Sequence, residues 1–403
     1  MRSVDEHAAL VAELLPAAPV EQWPLATVAG LVLGADLVAS LDLPPFANSA
    51  MDGYAVWAGD VPAAGVPVEL VVSQDIPAGK TDVAPLQPGT AARIMTGAPI
   101  PDGADSIVPV EQTSMCTAGT VRIDEAPEPG RHVRAPGSDV GDGTIVLSAG
   151  TVLGPTQIGL AAALGQSTVS VRRPLRVLVL STGSELVAPG NPLLPGQIYE
   201  SNAPMLAAAI NAVGALATVA HFVADDVDEF RSAFAAATGD VDLVVTSGGV
   251  SAGAYEVVKD AFTNRGVTFA KVAMQPGMPQ GVGLVDTGGR ELPVVTLPGN
   301  PVSSFVSFEV FLRPAIKAAM GHPAAHQHRP TRMIPLAESL TSIAGKRQFR
   351  RGQLDEIAGT VKAFGGPGSH LLGWLAGADC LLVIPEDVTE LAVGDSVEVW
   401  DLT

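Results

Sequence analysis

The sequence predicts a multidomain α/β plus β protein. It reads as a doubly wound parallel α/β domain joined to a β-rich N-terminal arm and a small C-terminal β domain. Three observations carry that reading. Strand–helix alternation begins after Pro174 around short apolar strands such as Val177-Leu-Val-Leu180, the kind buried between helices. Two Gly/Ser/Pro-rich loops, at 242–253 and 294–304, each leave an apolar strand and lead into a helix. The flanking segments instead carry short β runs broken by Pro, Gly and Asp.

Taken in order, residues 3–15 predict a short amphipathic helix, and Leu and Val at helical spacing predict a second over 25–40. Strands are expected at 66–73, 90–95, 105–111, 119–124 and 144–147, and a small helix at 156–165. The α/β pattern then runs strand 177–180, helix 201–213, strand 217–223, helix 226–237 and strand 241–246. Helix 254–265, strands near 267–273 and 292–297, and helix 301–319 complete it. Residues 320–330 read as a linker, where Pro323 and Pro330 oppose a helix that would array its three histidines for a metal. The domains are expected at 1–172, with the arm at about 45–145, at 173–322 and at 328–403.

A net charge of −19 argues against nucleic acid and against an anionic membrane as partners. No apolar run approaches membrane-spanning length, and Cys116 and Cys380 stand in no metal-ligand spacing. A cytoplasmic protein is the expectation. The densest basic group lies between Arg329 and Arg351.

Glycines let backbone approach a ligand, and the first N–H groups of a helix lack partners within it, so the two loops suit a phosphate or another oxyanion. Three strand ends carry hydroxyl or Gly groups together: Ser181–Gly183, Ser247–Ser251 and Pro298–Ser303. Neither nucleotide fingerprint is met, which disfavours an ordinary ATPase or NAD enzyme. Glu185, Asp225, Asp226, Asp242 and Glu256 lie near the strand ends, and carboxylates beside a phosphate commonly hold Mg²⁺. Helix capping is the competing role for each. The turns Pro44–Tyr54 and Arg93–Ala104 suggest no chemistry by spacing alone.

Several segments nevertheless resemble one family closely. They are Pro45-Phe-Ala-Asn-Ser-Ala-Met-Asp-Gly-Tyr-Ala, Arg93-Ile-Met-Thr-Gly-Ala-Pro, Leu180-Ser-Thr-Gly-Ser-Glu-Leu, Gly196-Gln-Ile-Tyr-Glu-Ser-Asn, Ser247-Gly-Gly-Val-Ser and Leu297-Pro-Gly-Asn-Pro-Val-Ser. In order and content they resemble the MoeA family, the molybdopterin molybdenumtransferases related to the gephyrin E domain. The likeness runs from residue 45 to Gly368-Ser-His370. It implies an α/β domain of the molybdopterin-binding type and an elongated homodimer. Its active site would lie between one subunit's α/β domain and the other's arm. The implied reaction is Mg²⁺-dependent insertion of molybdate into adenylylated molybdopterin with release of AMP, the substrate coming from a molybdopterin adenylyltransferase.

The resemblance also implies roles. Asp52 and Thr96, with Asp139 nearby, would reach the partner's pocket. Glu185, Asp225 or Asp226, and Asp242 would surround Mg²⁺ and phosphate, with Glu256 as a further catalytic carboxylate. Ser247, Gly248, Gly249, Ser251, Lys271, Pro298, Gly299 and Asn300 would bind substrate. Ser303, Arg351 and Ser369 would touch molybdate. One departure stands out: many members carry Lys-Pro-Gly-Lys-Pro where this chain has Gln275-Pro-Gly-Met-Pro279. Two other readings accompany this one: adenylylation of molybdopterin itself, and a scaffold or binding protein that has kept the fold.

Overall fold

The computed structural model describes residues 1–117, 119–222, 227–248 and 257–402. Helix α1 (Val4–Leu14) starts at a capping box in which the Ser3 hydroxyl accepts from the Glu6 N–H and the Glu6 carboxylate accepts from the Ser3 N–H. Its buried face, Val4, His7 and Val11, repeats at helical spacing. That face packs onto the α/β domain, where the His7 ring meets Phe311 edge-on at 4.7 Å.

The helix expected over 25–40 is not formed. Strand β1 (Val20–Pro24) and the two-residue β2 (Val32–Leu33) occupy that region, with a short helical turn between them. Gly34 explains the outcome: a Cβ there would lie 2.5 Å from the Val20 side chain, so the chain must pass close beside β1. The arm follows as a six-stranded sheet made from β3 (Gly53–Val56), β4 (Val68–Ile76), β5 (Thr90–Ile94), β6 (Ser106–Pro109), β7 (Thr113–Thr117) and β8 (Thr120–Ile123). Their order is β6-β3-β5-β4-β8-β7, with small clusters on either face. Helix α2 (Pro155–Ala163) and strand β9 (Thr168–Arg172) return the chain, and β9 pairs with both β1 and β2.

The α/β domain contains β10 (Arg176–Thr182), α3 (Asn202–Ala212), β11 (Leu216–Phe222), α4 (Val227–Ala237), β12 (Leu243–Ser247) and α5 (Val257–Phe262). It continues through β13 (Val267–Lys271), β14 (Met274–Gln275), β15 (Pro279–Asp286) and β16 (Glu291–Leu297). The sheet order is β11-β10-β12-β16-β15-β13. The first four strands are parallel, as a doubly wound α/β domain requires, and β15 adds an antiparallel strand between β16 and the edge strand β13, so the sheet is mixed. The unexpected strand β15 carries Gly281 and Gly283, which weaken its pattern in sequence. A Cβ on Gly283 would stand 1.9 Å from the Gly266 carbonyl, so close strand packing requires glycine there.

The helical stretch beginning at Pro301 is continuous but not uniform: α6 (Pro301–Ser307) passes through a π segment at Phe308–Leu312 into α7 (Arg313–Ala319). Buried Glu309 in that segment takes a two-pronged ion pair from Arg329 at 2.9 and 3.0 Å, which anchors the following connection. The C-terminal region contains β17 (Thr331–Pro335), β18 (Arg347–Asp355), β19 (Thr360–Ala363), α8 (Leu372–Ala376), β20 (Cys380–Ile384) and β21 (Ser396–Asp401). Its sheet order is β14-β18-β20-β21-β17. Strand β14 therefore joins the two regions, pairing Met274 with Arg347 and Gln275 with Gln348. Among the described residues no helix is long and apolar enough to cross a membrane.

Candidate active site

Parallel pairing places the carboxyl ends of β10, β12 and β16 in one row, with Ser181 opposite Ser247 and Ser247 opposite Leu297. Such a row is where an open α/β sheet presents a ligand site. The loops leaving it touch one another through glycine. A Cβ on Gly248, whose φ is +94°, would lie 3.3 Å from the Thr182 carbonyl oxygen. One on Gly299 would lie 3.4 Å from the Gly248 Cα. The Gly248 N–H also donates to the Leu297 carbonyl at 3.1 Å.

Asn202, at the start of α3, fastens these loops. Its amide nitrogen donates to Ser247 Oγ at 2.8 Å and to the Gly299 carbonyl at 2.6 Å. Glu200 braces the same corner by accepting from Ser181 Oγ and, at 2.9 Å, from the Ala203 N–H. Neither Glu200 nor Asn202 was picked out as a site residue in sequence, although both lie in the Gly196–Asn202 motif. A polar pair just before a helix reads as ordinary capping unless the partner strands are known.

Two cavities meet at the loop after β16, and Gly299 and Asn300 line both. The first, about 480 Å³, is bordered by Thr182, Glu185, Glu200, Asn202, Ser247, Gly248 and His370. The second, about 470 Å³, is bordered by the whole stretch 274–279, by Pro298 and Ser303, and by Lys346 and Ser369 from the C-terminal region. Ser369 closes the joint: its Oγ pairs with the Asn300 amide at 2.9 Å, and its carbonyl accepts from the Val302 N–H at 3.0 Å. The 275–279 loop is held from below by Gln280, which donates to the Gly277 carbonyl at 2.6 Å and to Ser307 Oγ at 2.7 Å.

The other residues singled out in sequence are distributed differently. Asp242 sits at the amino end of β12, away from this row. It accepts two hydrogen bonds from Arg173, at 2.6 and 2.8 Å, and one from the Arg176 N–H at 2.8 Å. Burial opposes its ionisation, but these partners win and hold its pKa below the ordinary value. It is a half-buried anchor at the amino end of the strand, opposite the end from which the cavity-bordering loops leave. Arg351 is 5% exposed and does not border either cavity. Its guanidinium donates to the carbonyls of Gly366 and Gly368, so it stands behind the wall that carries Ser369. Lys271 is exposed at the end of β13, outside the lining of both cavities.

Asp52 and Thr96 are brought together, but on the arm. Asp52 Oδ1 accepts from the Thr96 N–H at 2.6 Å and from Thr96 Oγ1 at 2.8 Å. Those two bonds, the backbone one first, hold the exposed Asp52 carboxyl below its usual pKa. Asp52 borders a third cavity of about 470 Å³ made wholly of arm residues, Arg93 among them. Asp139 lies elsewhere, exposed on a turn whose backbone bonds to Leu43. Asp225, Asp226, Gly249, Ser251 and Glu256 lie outside the described residues.

Among the described residues no group of three or more His, Cys, Asp or Glu could enclose a metal. Mg²⁺ does not demand one, because it is commonly held by one or two carboxylates with phosphate oxygens and water. Glu185, exposed at the rim of the first cavity, fits such a part, whereas Glu200 is already engaged by Ser181 and Ala203.

Three family descriptions match successive stretches of the chain. Residues 2–165 match the MoeA N-terminal region (domain I and II), 178–318 a probable molybdopterin binding domain, and 333–402 the MoeA C-terminal region (domain IV). The chain is 55% identical to molybdopterin molybdenumtransferase 2 of Mycobacterium tuberculosis, with 100% of each chain covered. It is 35% identical to molybdopterin molybdenumtransferase 1 of the same species, covering 99% of this chain and 98% of that one. A solved molybdopterin biosynthesis moea protein from Pyrococcus horikosii superposes with a TM-score of 0.83 at 30% identity, covering 100% and 99% of the two chains.

Proposed function

The chain belongs to the MoeA family and is a molybdopterin molybdenumtransferase of molybdenum cofactor biosynthesis, and on that premise we propose how its two adjoining cavities divide the reaction. The substrate is adenylylated molybdopterin, delivered by a molybdopterin adenylyltransferase, and molybdate is the second substrate. Molybdenum is left on the dithiolene sulfurs and AMP is released. The observation that carries this reading is the shared loop: Gly299 and Asn300 border both cavities, so one ligand can lie across them with its reacting ends on opposite sides.

In this scheme the first cavity takes the phosphates. Ser247, Gly248 and the amide of Asn202 set the backbone against which they lie. Glu185 would hold Mg²⁺, which supplies charge neutralisation at the phosphoanhydride. The second cavity takes molybdate, with Ser303 and Ser369 as hydroxyl partners. Asp52 and Thr96 come from the arm of a second copy, which supports a homodimer because both are exposed and border neither cavity of their own chain. A cytoplasmic setting agrees with a chain of two cysteines, of which Cys380 is buried and free.

The uncharged Gln275 and Met278 in the second cavity favour one rival, a binding protein of this fold with weakened chemistry. The experiment that decides supplies purified protein with Mg²⁺, molybdate and adenylylated molybdopterin, then follows AMP and molybdenum-loaded product. Release of AMP coupled to molybdenum insertion is expected. Absence of both sinks the enzyme reading, and consumption of ATP with molybdopterin would assign the adenylylation step instead.

A further inference from the structure

We propose that Lys346, carried by the C-terminal region, is the cation of an oxyanion subsite in the cavity formed by the 275–279 loop, Ser303 and Ser369. The inference rests on the reading that this cavity accepts molybdate. Of the described residues that border it, Lys346 is the only one with a charged side chain. The others are Met, Pro, Gly, Gln, Asn and Ser, which offer dipoles but no net charge. A doubly negative tetrahedral oxyanion leaves bulk water most readily where a full positive charge replaces part of its hydration.

Lys346 is also the uncommitted cation of its neighbourhood. Arg347 next to it is engaged by Asp5 at 2.8 and 2.9 Å and by Glu386 at 3.0 and 3.2 Å. Arg350 donates to the Thr341 carbonyl at 3.1 Å, and Arg351 to Gly366 and Gly368. Lys346 makes no ion pair among the described residues. Its backbone is nevertheless fixed on both sides. The Gly345 N–H donates to the Glu386 carbonyl at 2.7 Å, and the Arg347 N–H donates to the Ala273 carbonyl at 2.9 Å. One step on, the Gln348 side chain donates to Gln275 Oε1 at 3.1 Å. The lysine is thus delivered to the loop whose own positions 275 and 278 carry no charge. A cation absent from the loop itself is supplied by the segment that pairs with its base.

The test measures binding of sodium molybdate to the full-length protein, by equilibrium dialysis or calorimetry, in wild type, Lys346→Gln and Lys346→Arg. Losing a charge-assisted contact is expected to weaken binding about tenfold to a hundredfold in K346Q, while K346R stays within about threefold of wild type. Wild-type affinity in K346Q overturns the proposal. So does equal weakening in both variants, because charge would then not be what matters, and so does a wild type that binds no molybdate. AMP release by the wild type is scored separately. Turnover with Lys346-independent binding retains the enzyme and removes the lysine, whereas Lys346-dependent binding without turnover retains the subsite and removes the enzyme reading.

Discussion

Replacing Arg351 by lysine keeps the charge and takes away the fork. In the wild type, the guanidinium reaches two carbonyls at once, those of Gly366 and Gly368, from a position 5% exposed. The residue they present, Ser369, then holds Asn300 at 2.9 Å and the Val302 N–H at 3.0 Å. Burial, with Arg350 nearby adding to it, lowers the Arg351 pKa, so the site tolerates the charge because carbonyls receive it. A lysine ammonium on a shorter stem offers its N–H groups from one nitrogen and does not reproduce the two-nitrogen span of the fork. One charged hydrogen bond lost from a buried position costs about 1.5–3 kcal/mol, so opening of the 366–369 segment rises roughly 10- to 150-fold. Hydrogen exchange reads this directly, with protection falling at the Val302 amide and through 366–372, and the KM for molybdate rising in step. The result that would refute the reasoning is full protection together with weakened molybdate binding. That combination would mean the guanidinium touches the ligand itself and does not hold its wall.

Three further outcomes follow from the same structure. Asp242→Asn should lower stability by about 2–4 kcal/mol, since it breaks a largely buried, two-pronged pair, while leaving the KM values unchanged; denaturant melts and kinetics check both. The Asp242 carboxylate, with its pKa depressed on folding, contributes fully above its ordinary pKa of 3.8 and is lost as pH falls through the lower folded value. His7 behaves likewise at higher pH. Burial, then Arg2, lowers its pKa from 6.5 to about 4, so the unfolded chain takes up the proton first as pH falls. About 3 kcal/mol of stability should drain away between those two values, and His7→Gln should flatten that slope in pH-dependent melts. Finally, the proposed homodimer with a site shared between subunits predicts that Asp52→Asn and Asn202→Ala each abolish most activity alone, yet mixed and reassociated subunits recover about a quarter of it, because half of a random mixture is then heterodimer and one of its two sites is intact. No recovery on mixing would place both residues in one subunit's site.

The parts of this molecule that could be read in sequence are those set by neighbours along the chain. Val177–Leu180 announces a buried strand by its own run of apolar residues, and the loops after β10, β12 and β16 announce themselves by glycine and hydroxyl content. Segment 25–40 misled because Leu and Val at helical spacing say nothing of a Val20 side chain waiting beside Gly34. Strand β15 was missed for the mirror-image reason, as its glycines serve the close approach of β13 and β16, invisible locally. The site divides in the same way. Ser247, Pro298, Gly299, Asn300 and Ser303 are legible as loop chemistry. The bridging of two loops by Asn202, the wall-bearing posture of Arg351 and the arrival of Lys346 depend on pairings 15 to 97 residues apart or on the docking of one region against another. The place of Asp242 at the amino end of β12 was not legible either, because a motif marks a strand without saying which of its ends faces the ligand.

Charge shows why the location of one lysine carries so much consequence. A chain at −19 repels an anionic ligand at long range, and its basic group near the C-terminal region does little to offset this. The charges of Arg329 and Arg347 are offset by Glu309 and by Asp5 with Glu386, while Arg350 and Arg351 keep their charge but are turned to backbone carbonyls. Attraction at the second cavity therefore reduces to hydroxyls, amides and Lys346 at contact range. Salt acts on the two terms with opposite sign: it screens the diffuse repulsion, which weakens binding, and it screens the lysine contact, which favours binding. Screening reaches about 8 Å at physiological ionic strength, so the diffuse term is cut first and the partly buried contact last. In Lys346→Gln only the repulsion survives, and molybdate affinity should rise monotonically with inert salt. In the wild type it should rise little and then fall as the contact itself is screened. Parallel curves for the two proteins would show that the net charge, and not Lys346, sets the salt response of this site.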